Sequence, residues 1–408
     1  MHHLPRAGAA LPKWRGRSPQ IPRDPCHVTE AAPGDGEGAL RRTRLLTVAD
    51  HLGSVGGAEV AQLRVMEGLA SSGWDITLLY VSRGDLWPRW DALASRTKTV
   101  RASRLERAAP LRSGFGTAGA SLDIVRSDPQ VVYLHNPGDL PAAQVASRVK
   151  GIPVAVHLHL PPPFHQPGWL NRLIGKADAV IIPSADAGER WVRVAGLSDD
   201  RVWVIPTGID TDRFIPLADK ARDKQRRALG IDPGVPMIMY AGRLDPTKGL
   251  NHLIEALRRM KEHANLVVCG NGADDDFVAT LHEMSEGMSV VWLRRRPDVT
   301  SLLAAADLVV LPSLTFETQG MVVTEAMSCG IPAVASAVGG LSETLAAFPD
   351  HLVPPGDAMA LATALDRLVT WRRHSPALGN DSRRWVVEHL ALEGTVKTVS
   401  TLLAELGR

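Results

Sequence analysis

Glu317 and Glu325, with seven residues between them, stand in the segment Pro312-Ser-Leu-Thr-Phe-Glu317-Thr-Gln-Gly320-Met-Val-Val-Thr-Glu325-Ala-Met-Ser-Cys-Gly330-Ile-Pro332. Upstream lies Tyr240-Ala-Gly242-Arg243-Leu-Asp-Pro-Thr-Lys248-Gly249, an Arg and a Lys bracketed by glycines. An ionised carboxylate only accepts hydrogen bonds, which suits vicinal hydroxyls. A paired Arg and Lys suit a diphosphate, each charge-assisted bond contributing ~1.5–3 kcal/mol. Either glutamate alone reads as a loop acid or as a helix-start acid favoured by the dipole. Together with the cations they suit a ligand bearing both phosphates and hydroxyls, such as a nucleotide sugar.

These residues need elements to hold them. The chain has 408 residues, too many for one ordinary core, so two domains of about 170–190 residues are expected. Its 45% hydrophobic and 22% charged residues are those of a globular protein. A formal net charge of +2 argues against a surface built for nucleic acid. Cys26, Cys269 and Cys329 form neither a disulfide framework nor a CxxC metal site, which favours a reducing cytoplasm. No apolar run approaches the ~18 residues of a membrane span. Residues 1–40, rich in Pro, Gly, Arg and Ala without an apolar stretch, read as a disordered extension rather than a secretory signal.

From Arg44 onward strand and helix signals alternate, the pattern of parallel sheets with crossover helices. Strands are expected at 44–50, 74–81, 131–135, 154–160, 179–183 and 201–206, with a helix over 60–70 after the first. They define one doubly wound domain over 41–210. A polar connection with a short helix follows. The pattern restarts at Pro236, with strands at 236–241, 265–269, 290–293, 308–311 and 333–336, giving a second domain over 211–382. The tail 383–408 is read as helical and packing back on the first domain. The fold class is therefore α/β, two Rossmann-like domains facing across a cleft.

Ligands of open α/β sheets bind beyond the C-terminal strand ends, where the turns singled out here fall. Gly56 and Gly57 follow the first strand, so backbone N–H groups there can approach an anion at a helix start. Gly320 permits backbone amides to face a ligand between the glutamates.

At this point the chain resembles a family: the retaining GT-B glycosyltransferases of glycosyltransferase family 4. The likeness spans about residues 44–345 and is strongest from Val204 to Glu343. It rests on Ile205-Pro-Thr-Gly208-Ile-Asp210 with Phe214, on Tyr240–Gly249, on Gly270-Asn-Gly272, on Ala306–Ser313 leading into the glutamate segment, and on Val338-Gly-Gly340-Leu-Ser-Glu343.

The resemblance implies that Arg243 and Lys248, with Gly242 and Gly270 beside them, bind the leaving diphosphate. It implies that Glu325 binds the nucleotide ribose, and that Glu317 contacts hydroxyls of the transferred sugar beside the backbone of Gly320, Met321 and Val322. Gly57 would approach the diphosphate from the first domain, and Gly56 and Glu59 would lie on the acceptor side. A histidine is also implied at the end of a first-domain strand. Pro153-Val-Ala-Val-His157-Leu-His159 offers two on one face; His159 fits the position, and His157 is a neighbour on the acceptor side. His135 reads as a structural cap, and His165 as an acceptor-side residue.

The chain also departs from the pattern. Gln319 stands where an aromatic or aliphatic residue is usual, which is expected to change the sugar pocket. Leu293-Arg-Arg-Arg296-Pro replaces a glycine-bearing segment; the arginines are either a solvated run or, through Arg296, a contact to base or phosphate.

The implied reaction moves a sugar from a UDP- or GDP-type donor to an acceptor hydroxyl with retention. The alternatives are an epimerase or a non-transferring nucleotide-sugar binder on the same scaffold. Asp210-Thr-Asp212 and Asp274-Asp-Asp276 match a metal-binding Asp-x-Asp on paper, but the second opens a helix, so no metal and no cofactor are expected. The partners implied are the donor and a small-molecule, saccharide or lipid-linked acceptor. Between Arg83 and Arg112, eight Lys/Arg face three Asp/Glu with Trp87 and Trp90 nearby; this reads as a solvated face in preference to a peripheral membrane contact. The oligomeric state is open.

Overall fold

The computed structural model describes residues 43–54, 57–102, 104, 110–162 and 167–408. The expected extension 1–40, Gly56 and His165 lie outside the described residues. Among the described residues thirteen strands form two sheets. The first holds β1 (Arg44–Leu52), β2 (Asp75–Arg83), β3 (Arg96–Thr99), β4 (Val131–Leu134), β5 (Val154–His157), β6 (Ala179–Ile182) and β7 (Val202–Val204), in the order β3-β2-β1-β4-β5-β6-β7. The second holds β8 (Met237–Ala241), β9 (Asn265–Cys269), β10 (Val290–Leu293), β11 (Leu308–Leu311), β12 (Ala333–Ser336) and β13 (Leu352–Val353), in the order β10-β9-β8-β11-β12-β13. The neighbours within each sheet are parallel.

Both orders reverse at one place, between β1 and β4 and between β8 and β11. Chains leaving such neighbours diverge to opposite faces and open a crevice at the strand ends. The loops after β1, β4, β8 and β11 are those that carry Gly57, His135, Arg243 with Lys248, and Glu317. Topology thus gathers residues that the sequence scatters.

Parallel strands covered on both faces must be apolar throughout. Val131, Val132, Tyr133 and Leu134 are all fully buried, as are Leu308, Val309 and Val310. β3 is the exception: Arg-Thr-Lys-Thr is exposed at every position on the sheet edge, where charge discourages further pairing. That polarity hid it from the pattern search. β13 has only two residues and was likewise unread. β5 stops earlier than expected: after Leu158 N–H donates to Ile181 O at 2.8 Å, the chain turns toward Pro161 and Pro162, which lack a donor.

The tail forms two helices, Ala377–His389 and Leu392–Leu406. The first packs on the helix Met321–Ser328. The second inserts Val396, Val399, Leu402 and Leu403 among Leu45, Leu63 and Met66 of the first sheet's core. The chain therefore passes between the two sheets twice. The passes touch: Ile209 N–H donates to Leu390 O at 2.8 Å and Leu392 N–H donates to Ile209 O at 2.9 Å. A Cβ at Gly208 would sit 2.5 Å from Leu392 Cα, so the contact admits only glycine. Trp74 Nε1 donates to Ser400 Oγ at 2.9 Å.

Trp90 is buried and Trp87 lies beneath the Arg83 guanidinium, 4.1 Å from its ring centre. Trp90 belongs to the core and Trp87 packs against it. Among the described residues no helix is long and apolar enough to cross a membrane.

Leu403→Ala should remove a fully buried side chain from the docked last helix. The expected cost is roughly 2–5 kcal/mol, read as a lower urea midpoint than wild type. An unchanged midpoint would show that the helix does not share the first core.

Candidate active site

The turn after β8 is built by backbone contacts. Gly242 N–H donates to Cys269 O at 3.1 Å and Leu244 N–H to Asn271 O at 2.9 Å. A Cβ on Gly270 would meet Gly242 O at 1.9 Å, so two loops approach at distances only glycine allows. Tyr240 O–H donates to Arg243 O at 2.6 Å. Asp245 caps the following short turn by accepting from Thr247 N–H at 3.0 Å. Gly249 has φ 69°, and a Cβ there would lie 2.1 Å from Pro312 O. Leu314 N–H donates to Thr247 O at 2.8 Å.

These contacts weld the loop after β8 to the loop after β11. They bring Lys248 Nζ to 2.5 Å from Glu317 Oε1, with Ser313 Oγ donating to the same oxygen at 2.6 Å. Arg243 is different. Its side chain is 76% exposed and held only by Asp245 at 3.1 Å. Of the two cations, Arg243 is the freer.

The glutamate segment is supported from behind. Gly339 and Gly340 lie against its backbone: a Cβ on Gly339 would meet Glu317 O at 2.2 Å, and one on Gly340 would meet Thr318 O at 2.0 Å. Gly340 N–H donates to Glu317 O at 2.8 Å. The helix Met321–Ser328 starts at Gly320, whose φ of 78° opens its first turn, with Met321 and Val322 half-buried.

Gln319 departs from expectation. It is buried, its Oε1 accepts from Thr207 N–H at 2.7 Å and its Nε2 donates to Thr207 O at 2.9 Å. It clasps the segment between the two sheets, using both faces of its amide as a strand neighbour would.

Glu325 is half-buried on that helix. Burial pushes its carboxyl up to about 7, against the pull of the Arg64 and Arg213 charges. Arg64 belongs to the helix Gly57–Ser71 of the first sheet, where it is buried, with its guanidinium 5.5 Å from the Phe214 ring centre. Arg213 pairs with Asp298 at 3.2 Å. Arg64 was not singled out from the sequence. Its signal was a cation placed between Leu63 and Val65 on a helix whose other buried residues are apolar.

Three histidines meet beyond β4 and β5. His135 Nδ1 lies 3.1 Å from His159 Nε2, with the rings within 3° of coplanar. His157, fully buried, places Nδ1 2.8 Å from the Tyr133 hydroxyl and its ring 4.0 Å from that of His159. His135 is therefore not a cap; it is the partner of His159. His157 faces Tyr133 in the interior, so it does not offer an acceptor-side surface. Burial lowers the pKa of His159 to about 4 and holds His135 and His157 well below the usual imidazole range. All three are neutral at pH 7.

Across the crevice, Ser54 N–H donates to Asp85 Oδ1 at 2.7 Å and its hydroxyl bonds the other oxygen. Arg295 Nη2 donates to Ser54 O at 2.5 Å. Arg295, exposed like its neighbour Arg296, thus reaches the opposite domain. Gly57 opens its helix with empty space where a Cβ would project, and Glu59 stands in the same first turn. Further cross-domain bonds run from Thr318 Oγ1 to His159 O at 2.9 Å, and from Ala185 and Asp186 N–H to Glu343 at 2.8 and 2.9 Å. Asp274 accepts from Phe277 N–H at 3.0 Å and Asp210 from Arg213 N–H at 3.0 Å; both act as local caps.

The family models match in two parts. Residues 55–213 match Glycosyltransferase Family 4, and residues 221–385 match Glycosyl transferases group 1. The chain belongs to the family 4-type GT-B glycosyltransferases. D-inositol 3-phosphate glycosyltransferase of Mycobacterium sp. (strain KMS) is 32% identical over 255 residues, 60% of this chain and 56% of that protein. Alpha-maltose-1-phosphate synthase of Mycobacterium tuberculosis (strain H37Rv) is 29% identical over 266 residues, 57% of this chain and 68% of that protein. The chain spans about half the length of several curated relatives it matches. Anabaena Alr3699/HepE in complex with UDP superposes with a TM-score of 0.75 at 20% identity, covering 89% of this chain and all of that one. Sucrose-phosphate synthase of Thermosynechococcus elongatus gives 0.70 at 22%, covering 90% of this chain and 99% of that one. These likenesses show the GT-B fold.

Two outcomes follow for this family member. Gly249→Ala should clash with Pro312 and force a left-handed residue to carry a Cβ, so its melting temperature should fall below wild type. The Glu325 carboxyl has a folded pKa of about 7 against an ordinary 4.5. The folded protein therefore binds more protons than the unfolded chain between those values, and stability contributed by neutral Glu325 is lost as pH rises from about 4.5 to about 7. Urea midpoints of Glu325→Gln should lack this component; identical pH profiles for both proteins would refute it.

Proposed function

We propose that this chain transfers a sugar from a nucleoside diphosphate sugar to an acceptor hydroxyl, with retention and without a metal in the transfer step. The observation that carries the reading is the welded pair of loops holding Arg243, Lys248 and Glu317 at the β8/β11 crevice. Such loops present cations to a diphosphate and a carboxylate to the sugar attached to it. Support for a UDP-type donor comes from HepE, whose structures include complexes with UDP and with UDP-glucose. Relatives named D-inositol 3-phosphate glycosyltransferase and alpha-maltose-1-phosphate synthase support a polar, hydroxylated acceptor.

In this reading Arg243 and Lys248 hold the diphosphate, with Gly242, Gly270 and Gly57 allowing backbone approach and Arg296 at the margin. Glu325 takes the ribose hydroxyls. Glu317, with the backbone of Gly320, Met321 and Val322, takes the sugar hydroxyls. As the anomeric C–O bond breaks, its electron pair moves to the diphosphate, where preorganised cations stabilise the growing charge more in the transition state than in the substrate.

Glu317 already accepts from Lys248 and Ser313, which suits a binding group rather than a nucleophile. The acceptor oxygen then attacks the same face that the phosphate leaves, and its proton passes to the departing phosphate oxygen. Retention follows from that geometry. His159, neutral at pH 7, accepts a hydrogen bond on the acceptor side but is no acid. The two buried cysteines are free thiols, in keeping with a cytoplasmic setting.

Arg243→Ala and Lys248→Ala are each expected to lower turnover by about 10²–10³-fold, with circular dichroism unchanged. Near-normal turnover in either folded variant would refute the assignment. A thermal-shift panel of UDP-, GDP- and dTDP-sugars should single out one nucleotide, since a ligand of the native state raises the melting temperature. Donor binding without any transfer would favour a non-transferring binder.

A further inference from the structure

We propose that His135, His157 and His159 form a binding site for one divalent transition-metal ion of the zinc class. One ring nitrogen from each lies within 4.8 Å of the other two. Two zinc-bound nitrogens in a tetrahedral site, with bonds of 2.0–2.1 Å, stand about 3.3 Å apart. His135 Nδ1 and His159 Nε2 are already 3.1 Å apart in nearly coplanar rings. Two neutral imidazoles facing each other along that line share a single proton, and a cation set beside the line replaces it.

The third ligand is prepared by its neighbour. His157 Nδ1 meets the Tyr133 hydroxyl at 2.8 Å, while its Nε2 is buried and has no hydrogen-bond partner among the described residues. When Nδ1–H donates to the phenol oxygen, Nε2 presents a bare lone pair. A metal-ligating histidine is regularly fixed this way by a partner on its other nitrogen. His159 is half-buried whereas His157 is fully buried, so the His159 side is the one from which an ion would enter.

The donor set decides the ion. Three imidazole nitrogens with no carboxylate or thiolate select zinc-like cations over Mg²⁺ or Ca²⁺, which take oxygen ligands. The site does not depend on the transferase reading. It does bear on it: while His159 holds a metal, its lone pair is not open to an acceptor hydroxyl.

The test is metal uptake by the full chain, stripped with chelator and then titrated with Co²⁺ or Zn²⁺ alone, with Mg²⁺ as control. The expected result is one Zn²⁺ per chain after dialysis, and intense visible Co²⁺ absorption of a four-coordinate nitrogen site. His157→Gln should abolish that absorption, and Tyr133→Phe, which keeps all three imidazoles, should weaken binding about tenfold or more. Wild type with no such Co²⁺ spectrum, or His157→Gln with undiminished uptake, overturns the site. If a variant fails to fold, the wild-type spectrum alone decides.

Discussion

The contact on which the site depends is between backbones. Gly249 lies so close to Pro312 O that a Cβ would stand 2.1 Å from it, and Thr247 O accepts from Leu314 N–H beside it. Strands β8 and β11 are neighbours whose chains leave in opposite senses, and this contact ties their exits together. Lys248 and Glu317 then meet without further help. The same device recurs at Gly270 on Gly242 O, and at Gly339 and Gly340 on the carbonyls of Glu317 and Thr318. Glycines here act as removed side chains, letting one loop rest on another.

A second constraint follows from the first. Three consecutive residues of the welded loop reach three different places. Glu317 reaches Lys248, Thr318 reaches the His159 carbonyl, and Gln319 reaches Thr207. The loop that faces the crevice therefore also touches the opposite domain and the segment that joins the two. Single hydrogen bonds of this kind contribute about 0.5–1.5 kcal/mol net. Together they tie the loop to the opposite domain and to the joining segment, with the Gln319 pair fully buried.

Much of this was legible in the sequence for a definable reason. Strands β8 to β11 are short apolar runs ended by glycine, proline or charge, so period and punctuation agreed. Arg243, Lys248, Glu317 and Glu325 stood out as a set, two cations bracketed by glycines beside two carboxylates, although either glutamate alone has an ordinary structural reading. What escaped reading was whatever depended on a distant partner. The clasp of Gln319 was invisible because its partner, Thr207, lies 112 positions away. His135 looked like a cap because its partner, His159, is on another strand. Arg64 was hidden inside an apolar helix face, and β3 was hidden by the polarity that protects a sheet edge.

The charges of the crevice share one feature that bears on how an anion enters. Arg243 pairs with Asp245, Lys248 with Glu317 and Arg213 with Asp298, while Arg64 lies in the field of Glu325. A diphosphate arriving here exchanges partners rather than filling a bare positive hole. The exchange is easiest at Arg243, whose side chain is largely exposed, because a solvent-screened pair contributes only about 0–1 kcal/mol. It is hardest at Lys248, whose pair is more than four-fifths shielded on both sides. Lys248 must share its ammonium between phosphate and Glu317, and with three donors it can do so. Glu317 thereby keeps a cation beside it while its other oxygen turns to a hydroxyl. The paired resting state thus holds the carboxylate in position, and the ammonium's spare donors leave the diphosphate a place to bind.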